Sequence, residues 1–173
     1  LQDCEKIIQK AKVTDLVCFV GIRGYWTENK RGIYDDAIAI VSPTAFLAVN
    51  ANTDPSAWRR GIATLKTGVW RYKPGTHGLS HPVGPRRYPA FVQAAPVVVT
   101  RDGQGDQKPQ YLGINIHHGS LHGTSSLGCQ TIYPKQWDHF KSLGYAELKR
   151  HGQKDFPYIL INGEHDKVPV QQT

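Results

Sequence analysis

Between Ile114 and Ile132 the chain reads INIHHGSLHGTSSLGCQTI, which gathers His117, His118, His122 and Cys129 into one short segment of a protein with only three cysteines. A thiol acts as a nucleophile only when a base within hydrogen-bond reach can take its proton. Most lone cysteines are small buried hydrophobes, and Cys18 within LVCFV fits that description. Cys129 does not. Its TSSLGC context is polar and glycine-rich, which predicts a tight exposed turn rather than a packed strand. Gly128 would let a substrate approach the backbone closely. The N–H groups of Gly128 and Cys129 would stabilise an oxyanion if the turn aims them at a substrate carbonyl. Ser126 is expected to bond the turn or to present its hydroxyl to the site.

The base is expected from GINIHH. Side chains alternate along a strand, so Ile114 and Ile116 would face the core while Asn115 and His117 face the other way. His118 falls on the core parity unless the strand has already ended. His117 is therefore the expected base. His122, in LHGT, reads as a loop residue on the surface or the substrate side. Histidine precedes cysteine by twelve positions, the reverse of the papain-like order.

These residues need a scaffold. Residues 2 to 12 read as an amphipathic helix with Ile7 and Ile8 inward. LVCFVGI reads as a buried strand, and DDAIAIVS as a second one with Ile38 and Ile40 on one face, stopped by Pro43. NANTDPSAWRRG is a turn-rich connection. GVWRYK is a strand by its β-branched and aromatic content. PGTHGLSHPVGPRRYP reads as broken and exposed. AFVQAAPVVVTRDGQGD carries a strand and a DG turn, and QYLGINIHH another strand. PKQWDHFKSLGYAELKR is the second helix, with Pro134 suited to its first turn, and DFPYILING closes with a strand. The expectation is one mostly β domain over 1–173, a β-rich α+β fold with helices near its ends.

At 173 residues, 39% hydrophobic and 20% charged, with mean hydropathy −0.44, the chain has material for a core without disulfide staples. No apolar run approaches the roughly 20 residues of a membrane span. No leader pattern is read, and residue 1 is Leu rather than Met, as at a trimmed boundary. The net charge of +7 is read two ways, as a plain solubility bias or as attraction to an anionic partner, and Arg86 and Arg87 give one basic loop. The other basic residues are scattered without interleaved aromatics, which argues against nucleic acid. There is no C-x-x-C, phosphate loop or dinucleotide fingerprint, and no metal or other cofactor is expected.

A histidine at a strand end, then glycine, a loop and Ser-x-Gly-Cys, here IHHG and SLGC, resembles the signature of the L,D-transpeptidase catalytic domain. TLKTGVWRY, residues 64 to 72, resembles that family's upstream segment, with Thr67 and Gly68 before Val69 and Trp70. The resemblance covers about residues 35 to 135. It implies a β-sandwich or barrel with peripheral helices, Cys129 as nucleophile and His117 as base. It also implies an oxyanion hole at Gly128 and Cys129, with Ser126 shaping the turn. The implied substrate is a peptidoglycan stem peptide, attacked through an acyl thioester outside the cytoplasm, with amine or water as acceptor. His118, His122 and Gln130 are the expected substrate contacts. The chain departs from the family where Leu127 replaces a basic residue, where Gln130 replaces Ile of Gly-Cys-Ile-Arg, and where Lys66 replaces a proline. The His-to-Cys gap is also short for the family.

Two rivals remain. His77 and His81, with His117, His118 and Cys129, would suit a metal-dependent wall hydrolase, although i, i+4 ligands belong on a helix and GTHGLSHPVG is no helix. Tyr25, Trp26, Trp58 and Trp70 would suit a non-catalytic wall-binding domain, although core is the usual place for tryptophan. Asp35, Asp36 and GEHD at 163–166 read as unremarkable.

Overall fold

The computed structural model describes residues 1–163. Helix α1 (Gln2–Lys10) precedes strands β1 (Cys18–Arg23), β2 (Asp36–Val41) and β3 (Phe46–Asn52). Strands β4 (Ala63–Leu65), β5 (Gly68–His77), β6 (Tyr88–Gln93), β7 (Val99–Arg101) and β8 (Gly105–Asp106) follow. Then come β9 (Ile116–His118), β10 (Gln130–Ile132), helix α2 (Pro134–Arg150) and β11 (Phe156–Asn162). This is a mixed α+β fold with a large, mostly antiparallel sheet and two helices among the described residues. The large sheet runs β1-β11-β5-β6-β9-β10-β3-β2, and β2 pairs again with β1. Only β1/β11 and β9/β10 are parallel. β4, β7 and β8 form a separate small sheet.

Three strands read as unbroken apolar runs because both their faces are covered. Phe19, Ile38, Ile40, Phe156, Tyr158 and Leu160 point into the main core. Cys18, Val20, Ala39, Val41, Ile159 and Ile161 point the other way, against Cys4, Ile7 and Ala11 on one stripe of α1. Ile8 is only partly buried beside them. The helix stops short of residue 12, where Lys12 takes a left-handed φ of 55°.

Helix α2 starts with Pro134 in its first turn, where no intrahelical N–H is lost. Its Phe140 meets Phe19 and Phe91 edge to face, at 5.3 and 6.1 Å between ring centroids. Gly144 allows that approach. A Cβ there would lie 2.7 Å from Phe91 Cζ and 3.0 Å from Phe19 Cζ.

The structure corrects three sequence expectations and adds one strand, β10, for which the sequence suggested no element. FLAVNAN is a strand, so Asn50–Asn52 belong to β3 rather than to a turn. Pro74–His77 extend β5, and Tyr88 opens β6, so the ends of the "broken" segment pair with each other. QTI is a strand, β10, although its residues look polar. Only Ile116–His118 of QYLGINIHH is strand. Upstream of it, the Gln93 side chain takes the place of a neighbouring strand, accepting from Leu112 and Ile114 N–H and donating to Ala95 and Gln110 carbonyls. Glu164, His165 and Asp166 of GEHD lie outside the described residues.

Replacing glycine by alanine inside a helix ordinarily stabilises it by about 1 kcal/mol. Gly144→Ala should instead cost roughly 1–3 kcal/mol, because the added methyl overpacks two core rings. Urea unfolding of the variant checks this: a raised midpoint would show that α2 can move off the sheet freely.

Candidate active site

The parallel pair β9/β10 builds the site. Its register sets Gln130 opposite Ile116 and Thr131 opposite His117. Cys129 therefore sits just before β10, beside Asn115. The connection 119–129 is short for a parallel crossover, and it is stapled rather than loose. Ser56 N–H donates to the Ser126 carbonyl at 2.9 Å, and Ser126 N–H returns to Ser56 Oγ at 2.7 Å. Ser56 and Thr124 hydroxyls meet at 2.7 Å, and Tyr34 OH donates to the Ser120 carbonyl at 2.8 Å. Inside the turn, Ser126 Oγ donates to the Cys129 carbonyl at 2.7 Å. Gly128 has φ 133°, and a Cβ there would lie 2.6 Å from the Ala63 carbonyl oxygen. A side chain at 128 would therefore break the turn.

His77, His117 and Cys129 each offer an N or S atom, and the three lie within 4.8 Å of one another. The imidazoles of His77 and His117 stack at 4.0 Å between centroids. His117 Nδ1 lies 2.6 Å from the His118 carbonyl oxygen, which can only accept, so Nδ1 carries the proton and Nε2 keeps its lone pair. Tyr88 OH lies 3.0 Å from the same Nδ1. His77 Nδ1 faces Asn115 Nδ2 at 3.0 Å. The Asn115 backbone N–H points at Cys129 Sγ, and the thiol points at the Gly113 carbonyl, both at 3.4 Å.

Burial pushes the Cys129 thiol up to about 11, although the Asn115 N–H acts against it. Burial, reinforced by His77, pushes His117 down to about 3. Burial also lowers His77, followed by His118 and His81. At neutral pH the site thus holds a thiol and a neutral imidazole rather than an ion pair. These two values set proton transfer from the thiol to the imidazole uphill, away from the match to working pH that favours general-base catalysis, so a ligand in the clefts has to alter one of them before the thiol can react.

Clefts flank the group. One, of about 660 Å³, is lined by Lys73, His77, Leu79, Val92, Tyr111 and Asn115 among others. A second, of about 530 Å³, is lined by His77, His81, Arg86, Tyr88, His117 and His118 among others.

Cys129, half-buried, and His117, 5% exposed, are brought together with His77. Ser126 is buried and shapes the turn. Gly128 departs from expectation, because its N–H donates to Ser126 Oγ at 3.0 Å and is spent inside the turn. Of the two expected oxyanion donors, only the Cys129 N–H remains. Gln130 is fully buried, bonded to Tyr158, Thr53 and Gly128, and so cannot touch substrate. His118 lines the second cleft, stacked on Tyr88 at 4.4 Å. His122 is exposed on its loop. The turn is not simply exposed: Leu127 faces solvent, while Ser126 and Gly128 are buried. Trp26 and Trp58 are exposed rather than core. Arg87 is held by the His81 and Leu79 carbonyls, leaving Arg86 at the cleft. Sequence reasoning missed Tyr88, and placed His77 only with a metal. The signal was the facing pair of sequence ends, His77 opposite Tyr88 in the β5/β6 hairpin.

A thiol raised to about 11 has roughly a hundredfold less thiolate at pH 7 than a free cysteine. Alkylation of Cys129, followed by peptide mass mapping, should therefore be slow at pH 7 and still rising at pH 10; a plateau near neutrality would show an ion pair instead. Comparison of the chain with family models, curated proteins and solved structures gives no match.

Proposed function

We propose that this chain is a cysteine acyltransferase acting on peptidoglycan stem peptides, as an L,D-transpeptidase or L,D-carboxypeptidase at the bacterial cell wall. The observation that carries the reading is the Cys129–His117 arrangement: a ring nitrogen of His117 lies within 4.8 Å of Sγ, and with Nδ1–H donated to the His118 carbonyl the nitrogen with a free lone pair is Nε2. The proposed fold type is the β-sandwich or barrel of that family. The net charge of +7, with Arg86 at a cleft mouth, suits an anionic polymer outside the cytoplasm. No helix among the described residues is long and apolar enough to cross a membrane.

In the proposed reaction, sulfur attacks the carbonyl joining an L-centre to a terminal D-residue as its proton passes to His117 Nε2. The oxyanion is met by the Cys129 N–H. The leaving amine takes the proton from His117, and an acyl thioester remains. An incoming amine, or water, attacks the thioester as it gives a proton to His117, and His117 passes that proton to the departing sulfur, which restores the thiol. An amine yields a crosslink and water a trimmed stem. Asn115 N–H, facing Sγ, favours sulfur as its negative charge grows.

Incubation with purified muropeptides should give an acyl adduct on Cys129, with crosslinked or trimmed product, by mass spectrometry. Cys129→Ala should abolish turnover and keep the melting temperature, since the side chain is half-buried and its two hydrogen bonds among the described residues are long, at 3.4 Å. His117→Ala should slow acylation by on the order of a hundredfold or more. Full turnover by Cys129→Ala would defeat the proposal. Cys18→Ala should spare turnover but cost about 1 kcal/mol of stability, because Cys18 is 1% exposed in the α1 core.

A further inference from the structure

We propose that His77, His117 and Cys129 also form a binding site for one zinc ion, which masks the Cys129 thiol. The masking bears on catalysis only if the acyl-transfer reading holds; the ion site itself rests on geometry alone. Three side chains from three separate strands or strand ends offer two nitrogens and one sulfur within 4.8 Å of one another. A tetrahedral zinc site needs its ligand atoms about 3.3–3.6 Å apart. Side-chain rotations closing about 1 Å would reach that spacing. No carboxylate belongs to the group, and an N₂S set suits a borderline-soft, redox-inactive ion. Three protein ligands leave a fourth position for water, and His77 and His117 both line the open cleft of about 530 Å³.

The surroundings hold the ligands as metal sites require. His117 Nδ1–H is already donated to a backbone carbonyl, the outer bond that fixes a ligating imidazole and exposes its other nitrogen. His77 Nδ1 faces the Asn115 amide at 3.0 Å. Turning that amide over would set Oδ1 against a protonated Nδ1 and free Nε2, and it would break no other side-chain bond of Asn115 among the described residues. His81 and His118, which the wall-hydrolase rival also enlists, are not in the group. Binding replaces the S–H bond with a zinc–sulfur bond and releases one proton to solvent.

The test starts from chelator-treated protein. Cobalt(II) titration should saturate at one equivalent with a sulfur-to-cobalt charge-transfer band, and zinc should bleach it. One equivalent of zinc should slow Cys129 alkylation at least tenfold. Cys129→Ser should lose the band. His77→Ala and His77→Phe should each need at least tenfold more zinc for the same protection; Phe keeps a ring stacked on His117, which controls for loss of fold. Alkylation unchanged by zinc, or equal protection in both His77 variants, would overturn the site. Muropeptide turnover by metal-free protein is read separately: its absence would count against acyl transfer and leave the zinc result standing.

Discussion

The buried amide of Gln130 ties the interior to the surface turn that carries the thiol. An amide shut away from water costs a few kcal/mol unless its bonds are made. Here they are made in three directions: Tyr158 OH donates to Oε1 at 3.0 Å, and Nε2 donates to the carbonyls of Thr53 and Gly128 at 3.3 Å. The end of β3, the middle of β11 and the residue before Cys129 therefore have to keep their places together. Tyr158 in turn occupies space that exists only because residue 21 of β1 is glycine, since any Cβ there would run into its ring. Thr53 passes the constraint onward. Its N–H and hydroxyl donate to Asp36, while Arg23 donates to its hydroxyl and carbonyl. Burial raises Asp36 to about 6 even so, with Asp54 also contributing. What sequence alone presents as an unremarkable pair of aspartates is half structural hub.

The site that this frame supports is uncharged. Both imidazoles are pushed toward neutrality by burial, and the thiol is pushed away from ionisation by the same cause. The sulfur nonetheless has a backbone N–H aimed at it, and the His117 imidazole has its Nδ1–H held by a carbonyl, which leaves Nε2 unprotonated. Such an arrangement keeps the Cys129 thiol protonated in water, and under the proposed acyl-transfer reading its reactivity depends on what enters the clefts.

The parts legible in sequence were those where the two faces of an element differ chemically. Ile114, Asn115, Ile116 and His117 alternate in fact as they do in sequence, all buried but in different surroundings. β1, β2 and β11 were legible as apolar runs, and the reason for the runs is α1 on their outer faces. Polar residues used as core were not legible. Gln130 and Thr131 look like surface yet are fully buried. Nor was the meeting of His77, Tyr88 and His117, which depends on a hairpin and a strand pairing between distant segments. The oxyanion assignment failed at Gly128 because a motif does not say which hydrogen bonds a turn keeps for itself.

The pairing in the large sheet is not equally strong from strand to strand. β5 and β6 share six paired positions, whereas β6 and β9 share one, Phe91 with Ile116. Next to that seam, segment 111–115 is moored by Gln93, by Tyr72 OH on the Ile114 carbonyl and by the Gln130 N–H on the Asn115 carbonyl rather than by a continuous ladder, and it supplies both backbone groups that touch the sulfur. Backbone amides there would exchange with deuterated water sooner than those of the β1/β11 ladder. The sulfur thus hangs from the thinnest seam of the sheet, held there by single side-chain and backbone ties where the rest of the sheet has ladders.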